Sequence, residues 1–96
     1  MAILMRMDWK DVTPEQYDRV RELVNWEGDQ PTGAIAHVAA FDDDGAHVND
    51  IWASAADFDA FVADRLMAGV AEVGIETQPD ITIFEAHAVY IPGVTH

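Results

Sequence analysis

The chain has 96 residues, half of them hydrophobic, and its 18 acidic and 5 basic residues give a formal net charge of −13. This size and composition predict one globular domain spanning residues 1–96, and so acidic a surface argues against nucleic acid and membranes as partners. Without cysteine, disulfides, thiolate-bound zinc and thiol catalysis are excluded.

The first element is predicted to be a strand over residues 2–8. Apolar side chains occupy both parities of this segment, as they do in a central strand. It is too short, and carries a charge too early, for a signal peptide or a membrane span. We therefore expect a cytoplasmic location.

A helix start follows at Thr13, which can act as the N-cap. Pro14 suits the first helical position, and Gln16 can complete a capping box. Residues 25–32 contain glycine, aspartate and proline and are predicted to form a loop. We expect Trp26, within this loop, to fold back onto the core.

The second strand is predicted over residues 33–42, where nearly every position is apolar or small. Residues 42–45 read Asp-Asp-Asp-Gly, which indicates a tight turn in which Gly45 takes a positive φ. A third strand is expected over residues 46–53.

Ser54 caps a second predicted helix, with Asp57 three residues later. A short further helical piece over residues 67–73 ends at Gly74. The last predicted strand covers residues 81–90.

The predicted order βαββαβ is that of an α+β, ferredoxin-like fold with a four-stranded antiparallel sheet. We expect the first and fourth strands at its centre and both helices on one face. The strands carry apolar residues on both faces, and the uncovered face would expose several hundred Å² of apolar surface. Burying this surface at about 25 cal/mol per Å² favours a homodimer through the sheet face.

Two segments carry a family resemblance, residues 33–45 and residues 48–61. Their hydrophobic strand, Asp-Asp-Asp-Gly turn, strand-end Trp52 and capped helix resemble the dimeric α/β-barrel proteins. These include the antibiotic-biosynthesis-monooxygenase-like (ABM) and stress-responsive barrel groups. The resemblance implies a barrel of two sheets and a small-molecule pocket, on a scaffold shared by cofactor-independent monooxygenases, haem-degrading enzymes, isomerases and members with no known activity.

His37 is the first candidate for acid–base chemistry. If the turn at 42–45 closes a two- or four-residue hairpin, His37 lies opposite Asp50, which would fix the imidazole tautomer and raise its basicity. A three-residue loop with a bulge would instead place His37 opposite Ile51. The alternative role for His37 is a structural one inside the barrel.

A second candidate cluster joins the first and fourth strands. Arg6–Glu85 and Asp8–His87 are predicted pairs on one face, with His87 a further catalytic candidate and Arg6 a substrate-binding one. The alternative is a structural salt bridge at the dimer interface.

Aromatic side chains could line a pocket between helices and sheet. In the cofactor-independent oxygenases that the chain resembles, Trp, Tyr, Asn and Arg position a substrate that supplies its own electrons. This implies substrate-binding roles for Trp52, Tyr17 and Asn49, although the aromatics could equally be core. The predicted pocket set is Trp52, Trp26, Tyr17, Phe41, Phe58 and Phe61.

No cofactor or metal is expected. Haem degradation in the related group uses a helical histidine, which neither main helix has here. Sequence spacing gives no HxH or HxxxH pair, and no GxGxxG, P-loop or GxSxG motif occurs. The four histidines are His37, His47, His87 and His96, and the last is expected to be a frayed tail.

The sequence thus predicts a homodimer that binds a small, largely apolar or aromatic molecule, as a cofactor-independent monooxygenase or isomerase. The first alternative is a non-catalytic barrel protein that serves assembly or ligand carriage. The second is a regulatory protein whose acidic surface docks a cationic partner.

Overall fold

The computed structural model describes residues 1–92, so His96 lies outside the described part of the chain. The order is βαββαβ, as predicted, with the second helix continued by a π-helical turn and a third helix. Within residues 1–92 no helix is long and apolar enough to cross a membrane. The elements are β1 Ile3–Lys10, α1 Pro14–Val24, β2 Ala34–Asp42, β3 Gly45–Trp52, α2 Ala55–Phe61, the π-helical turn Val62–Leu66, α3 Met67–Val73 and β4 Asp80–Glu85.

The helix ends follow the local signals in the sequence. Thr13 and Gln16 form the capping box, with the Gln16 N–H donating to Thr13 Oγ1 at 3.2 Å and the Thr13 N–H donating to Gln16 Oε1 at 3.0 Å. Ser54 Oγ accepts the Asp57 N–H at 3.1 Å. Gly74 ends α3 with a φ of 85°, a left-handed conformation that costs glycine little.

The four-stranded antiparallel sheet has the order β2-β3-β1-β4. The prediction that β1 and β4 are the central strands was wrong for β4: the central strands are β1 and β3. The two-residue turn at Asp43 and Asp44 keeps β2 beside β3. The other edge of β3 takes β1, and β4 occupies the remaining edge of β1.

Strand β4 is shorter than predicted and ends at Glu85, which is opposite Ile3, the first residue of β1. One further hydrogen bond, from the Ala86 N–H to the Ala2 carbonyl at 2.9 Å, closes the ladder. Every residue of β4 is exposed. This edge strand therefore presents unburied Ile81, Ile83 and Phe84.

The two faces of the sheet differ in burial. The helix face carries the core, to which the sheet contributes Ile3, Met5, Met7, Trp9, Ala46, Val48 and Trp52. On the other side, which we call the open face, cross-strand register places Leu4, Ile51 and Phe84 in one row. The following rows contain Arg6 with Asn49 and Asp8 with His47. The helix face is apolar, as predicted. The prediction of a second apolar face was right only for the end of the open face that carries Leu4, Ile51 and Phe84.

Candidate active-site cavity

A cavity of about 560 Å³ lies between the helix face of the sheet and the helices. Its volume is in the range that accommodates a drug-sized molecule. Most of its wall is apolar, including Met5, Val48, Phe58, Phe61, Leu66 and Val70, and its polar groups are few. Of the predicted pocket aromatics, Trp52, Trp26, Tyr17, Phe58 and Phe61 line it and Phe41 does not.

The hairpin register brings His37 directly opposite Asp50. The two-residue turn that allows this register depends on Gly45, whose φ is 139° and where a Cβ would lie 2.2 Å from the Trp9 carbonyl oxygen. His37 Nδ1 lies 2.5 Å from Asp50 Oδ1. The alternative register, with Ile51 opposite His37, is therefore wrong.

Asp50 is the one buried charged residue in the described part of the chain. Its second oxygen, Oδ2, accepts the Trp52 Nε1–H at 3.1 Å. The Trp52 ring is packed against Phe58 and Phe61, with ring centroids 5.7 and 5.3 Å away. Both oxygens of the carboxylate are thus occupied, which fixes its orientation towards His37 and satisfies a group that would otherwise be costly to bury.

Tyr17, on α1, completes the arrangement from the helix side. Its hydroxyl lies 2.6 Å from His37 Nε2, and the two rings are parallel to within 3°. Trp26 folds back from the loop as predicted and lies 4.6 Å from the His37 ring, centroid to centroid. Phe41 contacts the Tyr17 ring edge-on at 5.6 Å, so it supports Tyr17. We call Tyr17, His37 and Asp50 the relay.

The protonation of the relay follows from its geometry and burial. Burial raises the pKa of Tyr17 above its usual value of 10, with Arg21 opposing the shift. Tyr17 is therefore a phenol at neutral pH. Because the Asp50 carboxylate can only accept, a neutral imidazole places its hydrogen on Nδ1, and Tyr17 donates its own hydrogen to His37 Nε2. The relay can pass a proton from the cavity towards the buried carboxylate.

Three predicted site residues lie away from the cavity. Arg6 and Asn49 face each other across β1 and β3 on the open face. His87 is exposed beyond the end of β4 and is not part of the cavity wall. Strand parity and the early end of β4 therefore separate these residues from His37, and the catalytic role of His87 and the binding roles of Arg6 and Asn49 stay predictions.

The predicted Arg6–Glu85 pair is also wrong. Antiparallel register places Thr82 opposite Arg6 and places Glu85 opposite Ile3. Residues opposite each other project to the same face, so Arg6 and Glu85 lie on opposite faces of the sheet. Arg6 instead approaches the carboxylate of Asp8, its neighbour on β1, at 3.7 Å.

Asp8 pairs with His47 rather than with His87 as predicted. His47 Nδ1 lies 2.7 Å from Asp8 Oδ1, and its Nε2 lies 2.9 Å from Asp42 Oδ2 in an approach that is not aligned as a hydrogen bond. We call these three residues the open-face cluster. Asp8, and then Asp42, raise the pKa of His47, while contact with His47 lowers the pKa of Asp42.

Two polar residues of the cavity wall, Glu27 and Gln30, were missed by the sequence analysis. Both belong to the loop after α1 and are exposed, so they lie towards the solvent side of the cavity. Arg21 Nη2 donates to Glu27 Oε2 at 2.8 Å, and this pair lowers the pKa of the Glu27 carboxyl. A loop residue gives no periodicity from which its direction could be predicted.

Metal binding finds no support in the part of the chain that the structure describes. Among residues 1–92, no three His, Cys, Asp or Glu side chains are arranged to hold a metal ion. The cavity offers a proton relay and an apolar wall, which are suited to a small organic ligand.

Comparison with known proteins places the fold. No family model matches the chain, and no curated relative matches it. SnoaB, a cofactor-independent oxygenase from Streptomyces nogalater, is 14% identical, with a TM-score of 0.60 over 92% of this chain and 93% of that one. An antibiotic biosynthesis monooxygenase is 22% identical, with a TM-score of 0.57 over 92% and 100% of the two chains.

The same fold also occurs in a protein of unknown function, NE2512 from Nitrosomonas europaea. It is 19% identical, with a TM-score of 0.63 over 97% of this chain and 94% of that one. The chain therefore has the ferredoxin-like fold of the ABM proteins, as the sequence resemblance implied. Likeness at these identities defines the fold, and the chemistry has to be argued from the cavity.

Proposed function

We propose that this protein is a cofactor-independent monooxygenase that oxidises a small, largely apolar or aromatic molecule in the cavity. The observation that carries the proposal is the relay, which brings a phenol, an imidazole and a buried carboxylate into hydrogen-bonded sequence at the cavity wall. Two of the proteins that share the fold are named as a cofactor-independent oxygenase and a monooxygenase, which supports the same reaction class.

In the proposed reaction the relay removes a proton from the substrate. The proton passes to the Tyr17 hydroxyl as the Tyr17 hydrogen moves to His37 Nε2, and Asp50 stabilises the imidazolium that forms. The carbanion then gives its electrons to dioxygen. Overall, a ring methylene loses two hydrogens and becomes a carbonyl, one oxygen atom enters the product and the other leaves as water.

The test combines oxygen uptake with product mass. Quinols and polyketide-like aromatics with an activated methylene are the substrates, and the expected product gains one oxygen and loses two hydrogens. H37Q should lower the rate by about 10²- to 10⁴-fold, the usual contribution of a general base. H47Q is the matched control, because His47 is a second strand histidine paired with a carboxylate but lies on the open face.

Equal rates for H37Q and H47Q would contradict this assignment of the base. A product isomerised without oxygen uptake, and lost in H37Q, would replace the monooxygenase with an isomerase that uses the same relay.

A second candidate function is ligand carriage without catalysis. It is favoured by the fact that both ring nitrogens of His37 already have partners within the chain, Asp50 and Tyr17. Ligand binding in the cavity with no turnover of any probe, and equal affinity in H37Q, would favour carriage.

We further propose that two copies associate through the open face. Support comes from the row of Leu4, Ile51 and Phe84 and from the neighbouring Val38, which is 63% exposed. Exposed apolar rows of this kind are typical of interfaces. Sedimentation equilibrium at micromolar concentration should give a dimer that F84D converts to a folded monomer.

M67D is the control for this experiment, because Met67 is exposed to a similar extent but lies on α3. A wild-type monomer, or equal dissociation by both substitutions, would refute the proposed interface.

A further inference from the structure

We infer that the ligand of the cavity is uncharged at neutral pH and apolar except for one hydroxyl group, and that carboxylates and phosphates are rejected. The inference deepens the proposed function, on which it rests only in taking this cavity as the binding site. Three features carry it: the carboxyl groups in the wall, the hydrogen-bond direction assigned to the relay and the distribution of apolar side chains.

The carboxyl side chains in the described cavity wall are those of Asp50 and Glu27. No lysine or arginine from residues 1–92 contributes to that wall. The two arginines near the loop after α1 are held by other groups. Arg21 binds Glu27, and Arg65 donates to the Val24 carbonyl at 3.2 Å and to the Asp29 carbonyl at 2.7 Å.

An anionic group in this cavity would therefore face the buried Asp50, which is already paired with His37, with no lysine or arginine in the described wall to compensate it. Removing a carboxylate from water without a partner is strongly unfavourable, and a second negative charge nearby adds to the cost. The formal net charge of −13 acts in the same direction, since it lowers the concentration of anions at the protein surface.

A hydroxyl fits the polar end of the cavity. Tyr17 donates its hydrogen to His37 Nε2, so the Tyr17 oxygen keeps the capacity to accept a hydrogen bond from a ligand. A ligand hydroxyl that donates there would be aligned with the relay. The remaining wall, which includes Val48, Leu66 and Val70, suits a hydrocarbon or aromatic body.

The experiment compares three probes that share one ring system: 1-naphthol, 1-naphthoate and naphthalene. Trp9, Trp26 and Trp52 all line the cavity, so their fluorescence reports binding to the full chain. At pH 7.5 and low salt, 1-naphthol should bind at least tenfold more tightly than 1-naphthoate. Y17F should lower the affinity for 1-naphthol towards that for naphthalene.

D50N tests the electrostatic part of the inference, because it removes the buried charge and should narrow the naphthol-to-naphthoate ratio several-fold. D59N is its matched control: Asp59 is exposed on α2, so the same change in net charge should leave the ratio unchanged. If circular dichroism shows that D50N is unfolded, E27Q replaces it. E27Q should lower the naphthol-to-naphthoate affinity ratio by a smaller factor, because Glu27 is exposed.

Naphthoate binding as tight as naphthol binding would overturn the inference, and so would a ratio that neither D50N nor E27Q narrows. The outcome is independent of turnover. Selective naphthol binding without oxygen uptake from any substrate would refute the monooxygenase while the ligand class stands. Oxygen uptake from carboxylated aromatics alone would support the monooxygenase and overturn the ligand class.

Discussion

Two histidine–aspartate pairs occupy opposite faces of the same sheet. His37–Asp50 lies on the helix face and His47–Asp8 on the open face, and each joins neighbouring strands through Nδ1, at 2.5 and 2.7 Å. The two pairs differ in how far their carboxylates are buried. The Asp50 side chain is 8% exposed and that of Asp8 is 40% exposed.

The third partner of each histidine differs as well. His37 Nε2 meets the hydroxyl of Tyr17, whereas His47 Nε2 meets the carboxylate of Asp42. The two carboxylates around His47 raise its pKa and so favour the imidazolium form. An imidazolium already carries both ring protons and cannot accept another. The same pair of residue types is therefore suited to proton transfer in one place and to a structural ion pair in the other.

The sharpest way to separate the two pairs is to remove each carboxylate. D50A should lower the free energy of unfolding by about 2–4 kcal/mol, because it leaves the buried Trp52 Nε1–H without an acceptor and removes the carboxylate partner of the partly exposed His37. D8A should have a smaller effect, since water reaches its site. Urea denaturation of both variants gives the comparison, and equal losses would show that burial does not distinguish the pairs.

A smaller effect is expected from removing the hydroxyl that is specific to the helix-face pair. Y17F should lower the free energy of unfolding by about 1 kcal/mol, the usual value of one such hydrogen bond. Y90F is the control, because Tyr90 is 85% exposed and its hydroxyl has room for water. The same loss in both variants, by thermal or urea unfolding, would remove Tyr17 from the relay.

The smallest effect concerns the pH dependence of the open-face cluster. Asp8 and Asp42 raise the folded-state pKa of His47 above 6.5, so its contribution to stability is fully present below about pH 6.5 and is lost as pH rises through the raised value. The stability difference between wild type and H47Q should thus be larger at pH 6 than at pH 9. In a D8N background this pH dependence should shrink; a difference that grows with pH would contradict the ion pair.

Short-range sequence signals correctly predicted the helix starts and the turn between β2 and β3. The capping box at Thr13, the Ser54 cap and the positive φ of Gly45 each depend on residues within a few positions of one another. The His37–Asp50 pair followed from the same rules once the turn had two residues, since its length alone sets the register.

Other parts of the site could not be predicted in this way. Strand register decided that Asp8 meets His47 rather than His87, because Asp8 is opposite His47 on β3 and opposite Asp80 on β4, and His87 lies beyond the end of β4. Arg6 and Asn49 lie on the open face because side chains alternate along a strand and their neighbours Met5 and Val48 face the core. The functional roles of the relay residues and the homodimer stay predictions that the experiments above test.

The sequence by itself determined which segments form helices and strands and where the helices begin, because those features depend on neighbours along the chain. It reduced the register of the β2–β3 hairpin to two alternatives, between which the structure decided. Only the tertiary structure decided that Tyr17, twenty residues before His37, completes the relay and that the space beside it remains a cavity. Both depend on how α1 packs across the sheet, and that packing depends on contacts between residues far apart in the chain.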